Sequence, residues 1–163
     1  MVLDFVRLSG QSGHDAGRQL LAKAYRQKTG KNLPEIAVTA QGKPYFPGEN
    51  LHFSISHTKT HAFCVLSEKN VGMDAENMDR PLDLSLADRF LSPTEREKFL
   101  AAPDKNAALL RLWVLKEAYA KLTGKGLGNY LKNTNFDPFD QRIQVIDGCF
   151  VAVLEMEGES HAL

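Results

Sequence analysis

The chain reads LLAKAYRQKTGKNL from Leu20 to Leu33 and VLKEAYAKLTGKGL from Val114 to Leu127. In register, Leu21, Ala24, Tyr25, Thr29, Gly30, Lys31 and Leu33 match Leu115, Ala118, Tyr119, Thr123, Gly124, Lys125 and Leu127, at a constant offset of 94 residues. Each stretch carries apolar residues at helical spacing and stops at a glycine, so each reads as the main helix of a structural unit. Two differences matter more than the matches. The second has Lys116-Glu117 where the first has Ala22-Lys23, so only one copy holds a carboxylate.

Outward from these helices, each half follows the same order. LDFVRL alternates like a strand before the helix HDAGRQLLAKAYRQKTG, and Gly-Lys-Pro then breaks the extended run EIAVTAQGKPYF. LHFSISHT and HAFCVLSE alternate around a short Thr-Lys-Thr, which predicts a strand pair. NVGMDAE reads as the next strand and LDLSLADRFL as a short amphipathic helix. Ser92-Pro93-Thr94-Glu95 is a capping box with proline at the first helical position. A long helix follows from about Asp104 to Leu122, and RIQVIDGCFVAVLEME predicts two strands about an Asp-Gly turn. The expected fold is α+β, with two pseudo-two-fold related halves, each a main helix packed on a mostly antiparallel sheet. The halves are residues 1–68 and 69–163, meeting between Ser67 and Asn70.

Composition narrows the function. The 163 residues, 43% apolar and 25% charged, suffice for one good core or two small fused ones. Twenty basic residues balance 20 acidic ones, which argues against bulk attraction to nucleic acid or to an anionic membrane. MVLDFVRLSGQ lacks the apolar core of a signal peptide and no apolar run approaches membrane-spanning length, so a cytoplasmic protein is expected. Cys64 and Cys149 sit in the apolar contexts FCVL and GCFVAV, as buried free thiols do.

Asp74 and Glu76 lie two apart on a strand and therefore share a face. Trp113, Glu117 and Lys121 share a helical stripe, and Leu112, Lys116 and Ala120 occupy the adjacent one. Three carboxylates with no histidine or cysteine beside them suit a hard cation, magnesium above all, which favours carboxylates together with substrate phosphates. Taken singly, each feature has a plainer meaning. Glu117 and Lys121 make an i,i+4 pair of roughly 0.3–0.5 kcal/mol, Asp74 and Glu76 could line a solvated edge strand, and His57 could be a structural histidine.

Together, GKPYFPGENLHFSISHT, VGMDAE, FLSPTEREKF and RLWVLKEAYAKLTGKGL resemble, in order and spacing, the Sfp-type 4′-phosphopantetheinyl transferases, over roughly residues 14 to 136. The resemblance implies an enzyme that moves phosphopantetheine from coenzyme A to a serine of an apo acyl- or peptidyl-carrier protein, releasing 3′,5′-ADP. It also implies a duplicated pseudo-two-fold fold. Carried over by position, Asp74, Glu76 and Glu117 become the magnesium ligands, with Asp74, Glu117 and Lys121 the catalytic set. Lys116 and Lys121 become phosphate contacts, and Glu117 or a metal-bound water becomes the base for the carrier serine. Lys43, Ser56 and His57 would hold the 3′-phosphate end, Gly42 and Pro44 would shape the adenine pocket, and Arg18 with Gln19 would touch the nucleotide. Relatives usually have a longer N-terminal arm bearing further basic contacts, whereas residues 1–13 alone precede the matching helix here. The carrier is expected to dock near Leu82, Leu86, Arg89, Phe90 and Leu91, on a monomeric enzyme. The competing readings are a non-catalytic module that binds coenzyme A or a carrier protein, and a magnesium enzyme acting on another nucleotide diphosphate.

Overall fold

A computed structural model describes residues 1–126 and 129–156, except for the side chains of Asn129 and Tyr130. The match of Leu127 to Leu33 lies outside the described residues. Strand β1 (Val2–Arg7) leads to helix α1 (Gly13–Thr29), the short strands β2 (Ala37–Val38) and β3 (Pro44–Tyr45), and the hairpin β4 (His52–His57) and β5 (His61–Ser67). Strand β6 (Asn70–Asn77) opens the rest, followed by a 3-10 turn at Leu84–Leu86 and helices α2 (Ala87–Phe90), α3 (Pro93–Ala101) and α4 (Lys105–Thr123). A further 3-10 turn at Asn129–Asn133 leads to the hairpin β7 (Ile143–Ile146) and β8 (Cys149–Met156). LDLSLADRFL is thus a 3-10 turn running into a single α-turn, shorter than the helix its pattern predicts.

The two larger sheets have orders β1-β5-β4 and β6-β8-β7, with every pairing antiparallel. Each begins with a strand, crosses through a long helix and ends in a hairpin whose second strand lies in the middle. The registers agree as well. Asp4 faces Cys64, which faces Ile55, and in the other sheet Asp74 faces Ala152, which faces Ile143. The second hairpin closes through Asp147 (φ 47°) and Gly148 (φ 79°), the left-handed pair that a two-residue turn needs to follow the twist of its strands.

Strand alternation sorts the core into layers. Ala62, Cys64 and Leu66 pack under α1, while Phe150, Ala152 and Leu154 pack under α4. Between the sheets, Phe63 and Val65 meet Met73, Ala75, Val151 and Val153. Both cysteines are free and buried.

Strands β4 and β6 run side by side without a backbone ladder, and serines stitch them. Ser54 Oγ accepts from Met73 N (3.0 Å), and Ser56 Oγ accepts from Ala75 N (3.1 Å), so two buried donors are satisfied by side chains at a period of two. Across the seam, Arg7 donates two hydrogen bonds of 2.7 Å to Asp147, and buried His61 pairs with the same carboxylate at 2.7 Å.

Candidate active site

The site forms where α4 crosses β6. A Cβ built on Gly72 would lie 2.1 Å from Ala118 O and 2.4 Å from Leu122 N, so only glycine lets the helix backbone lie this close to the strand. Asp74 and Glu76 project from the same strand face as Gly72, and Glu117 and Lys121 come down from the helix above them. Ser54, Ile55 and the Gly42–Pro44 loop form the opposite wall of a cavity of about 290 Å³, and Phe53, Pro44 and Ala120 give it apolar surface.

Asp74 is buried. Its Oδ1 accepts from Ser56 Oγ (3.1 Å) and from Lys121 Nζ (3.2 Å), while its Oδ2 is buried with no partner. Lys121 Nζ also donates to Ile55 O (3.2 Å), so it bridges the two sheets. Arg80 pairs with Glu76. Burial and the neighbouring Asp74 and Glu76 push the Glu117 carboxyl up to about 7, against the pull of Lys121. Asp74 and Glu76 are likewise raised, mainly by burial, with Lys121 and Ser56 opposing at Asp74 and Arg80 opposing at Glu76. Three carboxyls are therefore gathered in one low-dielectric place where they disfavour one another's charge.

Among the described residues no three acid, imidazole or thiol groups stand together as a ready metal cage. Asp74 is paired with Lys121 and Glu76 with Arg80. The chemistry still fits a hard cation. A buried carboxylate oxygen without a partner is costly, and oxygen-only donors beside a lysine match magnesium bridging to a phosphate.

The remaining expected residues divide into those that reach the cleft and those that do not. Gly42 (φ 94°) and Pro44 line it. Lys43 borders it but donates to Asn70 Oδ1 (2.6 Å) and Leu122 O (2.7 Å), and burial lowers its ammonium to about 8. Lys43 therefore holds the end of α4 in this state. Ser56 is buried, with its hydroxyl between Asp74 and Ala75 N, whereas His57 is exposed with its ring against Gly13 at the start of α1. Arg18 is half-buried and its side chain makes no hydrogen bond or ion pair with another described residue; Gln19 beside it is exposed.

Lys116 is corrected outright. It is 1% exposed and points to the other side of α4, where its Nζ pairs with Glu95 (2.6 Å) and donates to Thr134 Oγ1 (2.9 Å) and to Leu131 O. Glu95 in turn accepts from Ser92 N and Phe136 N, both at 2.8 Å, so the network joins the capped start of α3, the middle of α4 and the segment 131–136. A lysine so enclosed is no phosphate contact. The signal lay in its stripe, since Leu112 and Ala120 on either side of it are both buried.

The expected docking residues also change. Phe90 and Leu91 are buried, Phe90 edge-on to Trp113 at 5.1 Å, and Leu82 and Leu86 pack against the same core. Their apolar surface serves the fold, and the segment shows Leu84 and Arg89 to solvent. Arg80 was missed by the sequence reading.

The model of the 4′-phosphopantetheinyl transferase superfamily matches residues 70–156, more than half of the chain. The chain therefore belongs to that superfamily. It is 34% identical over 133 residues to a 4′-phosphopantetheinyl transferase of Bacillus subtilis, covering 76% of this chain and 59% of that protein. It is 36% identical to the 4′-phosphopantetheinyl transferase Sfp of Bacillus subtilis strain 168, covering 68% and 49%. With the 4′-phosphopantetheinyl transferase HetI of Nostoc it shares 38% identity, covering 54% and 40%. The chain thus spans about half the length of the curated relatives it matches. Among the described residues no helix is long and apolar enough to cross a membrane.

Proposed function

We propose that the protein is a cytoplasmic 4′-phosphopantetheinyl transferase that moves phosphopantetheine from coenzyme A to a serine of an apo acyl- or peptidyl-carrier protein. The observation that carries this reading is the acid cluster of buried Asp74 with half-buried Glu76 and Glu117, with its unpartnered Asp74 Oδ2 beside Lys121. Asp74, Glu76 and Glu117 would hold magnesium, which when bound neutralises charge on the pyrophosphate. Lys121 has one face toward Asp74 and one toward the cavity, so it orients a phosphate oxygen there. Glu117 takes the proton of the attacking serine as its general base. The serine oxygen bonds to phosphorus, the bond to the nucleotide breaks, and 3′,5′-ADP leaves. Gly42, Pro44 and Phe53 enclose the adenine, with His57 and Arg18 as cations for the 3′-phosphate and Lys43 joining them if it lets go of Asn70 and Leu122 O.

The matching strand orders and the Asp–Cys–Ile and Asp–Ala–Ile rows support two pseudo-two-fold halves, 1–68 and 69–163, with the cleft between them. A monomer would then have one site. Its carrier would meet Leu84 and Arg89, where a cation suits an acidic partner. A module that only binds coenzyme A or a carrier has no use for three converging carboxyls. The test is mass spectrometry of candidate apo carriers incubated with coenzyme A and magnesium. Addition of the phosphopantetheine mass supports the reading, and unmodified carriers across acyl- and peptidyl-types overturn it.

A further inference from the structure

Beside the acid cluster stands a cation that its proposed chemistry does not employ. Arg80 follows Glu76 by four residues, and its guanidinium rests on the Glu76 carboxylate, on the wall of a second cavity of about 770 Å³ that runs from His57 to Pro81. Its backbone is clamped. Arg80 N donates to Asn77 O (3.1 Å), closing a turn straight after β6. Asn106, in the first turn of α4, donates from Nδ2 to Arg80 O (3.1 Å) and accepts from Leu82 N (2.9 Å). One amide side chain thus fixes both sides of the Arg80–Leu82 connection to the helix that carries Glu117.

The acids it serves are otherwise poorly neutralised. Lys121 reaches Asp74 Oδ1, and Asp74 Oδ2 has no partner. If Arg80 left Glu76, that carboxylate would face Asp74 and Glu117 with Lys121, already hydrogen-bonded to Asp74, as its neighbouring cation. We propose that Arg80 is a positioning residue that acts as the resident counter-cation of Glu76, held there by Asn106, so that a divalent metal must displace it to bind. The inference rests on the metal reading of Asp74, Glu76 and Glu117 and sets how tightly that site holds metal before any substrate arrives. Displacement leaves the guanidinium at the mouth of the larger cavity, near His57 and Lys59, where an anionic ligand would receive it.

The test measures Mn2+ binding to the full chain, without nucleotide, by electron paramagnetic resonance. Removing a competing charge from a partly exposed pair should tighten binding by about fivefold in Arg80→Gln, and the gap should narrow as salt rises. Arg80→Lys keeps the charge and should stay near the unaltered protein, and Asn106→Ala should move the same way as Arg80→Gln by a smaller factor. Asp74→Asn reports on the site itself. Equal or weaker binding by Arg80→Gln, while Asp74→Asn loses binding, overturns the role of Arg80 and leaves the metal reading standing. Binding that Asp74→Asn does not alter, or none in any protein, overturns the metal reading and the inference with it. Thermal unfolding of each variant shows that the fold is retained.

Discussion

In the first half of the molecule Lys23 of α1 lies 3.6 Å from Asp4 of β1. In the second, Glu117 of α4 stands over Asp74 of β6, the residue that occupies the same place in the strand register as Asp4. Acid meets base in one half and acid meets acid in the other. The helices are alike where they end. Thr29 Oγ1 donates to Tyr25 O (2.8 Å) and Thr123 Oγ1 to Tyr119 O (3.1 Å), while Gly30 and Gly124, at φ 73° and 70°, return their N–H to Arg26 O and Ala120 O. The Thr-Gly-Lys resemblance is therefore a shared helix C-cap, a device of folding. Where α1 has Lys23, α4 has Glu117. The lysine makes an exposed pair with Asp4, and the glutamate joins buried Asp74 and half-buried Glu76.

The largest effect should come from reversing that difference. Glu117→Gln and Asp74→Asn are expected to lower carrier modification by about 10²–10⁴-fold, the usual contribution of acid–base groups. Lys23→Gln should stay within about twofold, because an exposed pair contributes little. Assays of all three beside thermal unfolding make the comparison, and comparable losses in both halves would break it.

Next comes the neighbouring position, where α1 has Ala22 and α4 has Lys116. Lys116→Met strands the Glu95 carboxylate inside the protein and should cost about 3–5 kcal/mol in urea unfolding, whereas Lys116→Met with Glu95→Met should recover most of that. If Lys116 touched phosphate instead, the single variant would keep its stability and lose coenzyme A affinity.

Two glycines sharpen the comparison further. Gly72→Ala drives a methyl into the α4 backbone and should destabilise by about 1–3 kcal/mol with loss of activity. Gly17→Ala meets Cγ2 of Ile55 at 2.4 Å, a β-branch methyl that yields only if χ1 turns, so a side chain and not a helix backbone has to shift. Its cost should be smaller, and denaturant midpoints will rank the two.

The smallest effect concerns the seam. Hydrogen bonds from Arg7 and then His61 hold the Asp147 carboxyl well below the usual carboxylate range. A depressed acid contributes stability that is complete above its unfolded pKa, near 4, and is lost as pH falls through the lower folded value. Asp147→Asn should therefore flatten the acid limb of the stability profile, read as urea midpoints against pH, while leaving carrier modification at neutral pH unchanged.

Much of this was legible because the signals are local. Strand alternation, the Ser92–Glu95 box, the Asp-Gly turn and the two glycine stops each depend on residues a few positions apart, and all appear where the pattern puts them. That Asp74 and Glu76 share a face follows from the strand period alone. Lys116 and Phe90 misled because a helix exposes residues all round. Which stripe meets protein and which meets ligand depends on what packs from outside, here Glu95, Thr134 and Trp113.

By itself the sequence determined the repeated helices, their caps, the strands between them and the asymmetry of charge that sets one half apart, since each is written in nearest neighbours and short periods. Only the tertiary structure decided that Ser56 ties the sheets together, that Lys43 holds the end of α4 and that Arg80 rests on Glu76. Those partners are 19, 79 and four residues away. Even the nearest of them is reached only because a turn and the Asn106 clamp fold the chain back. A side chain's partner is chosen by which surfaces the packed backbone brings within about 3 Å, and no local period encodes that.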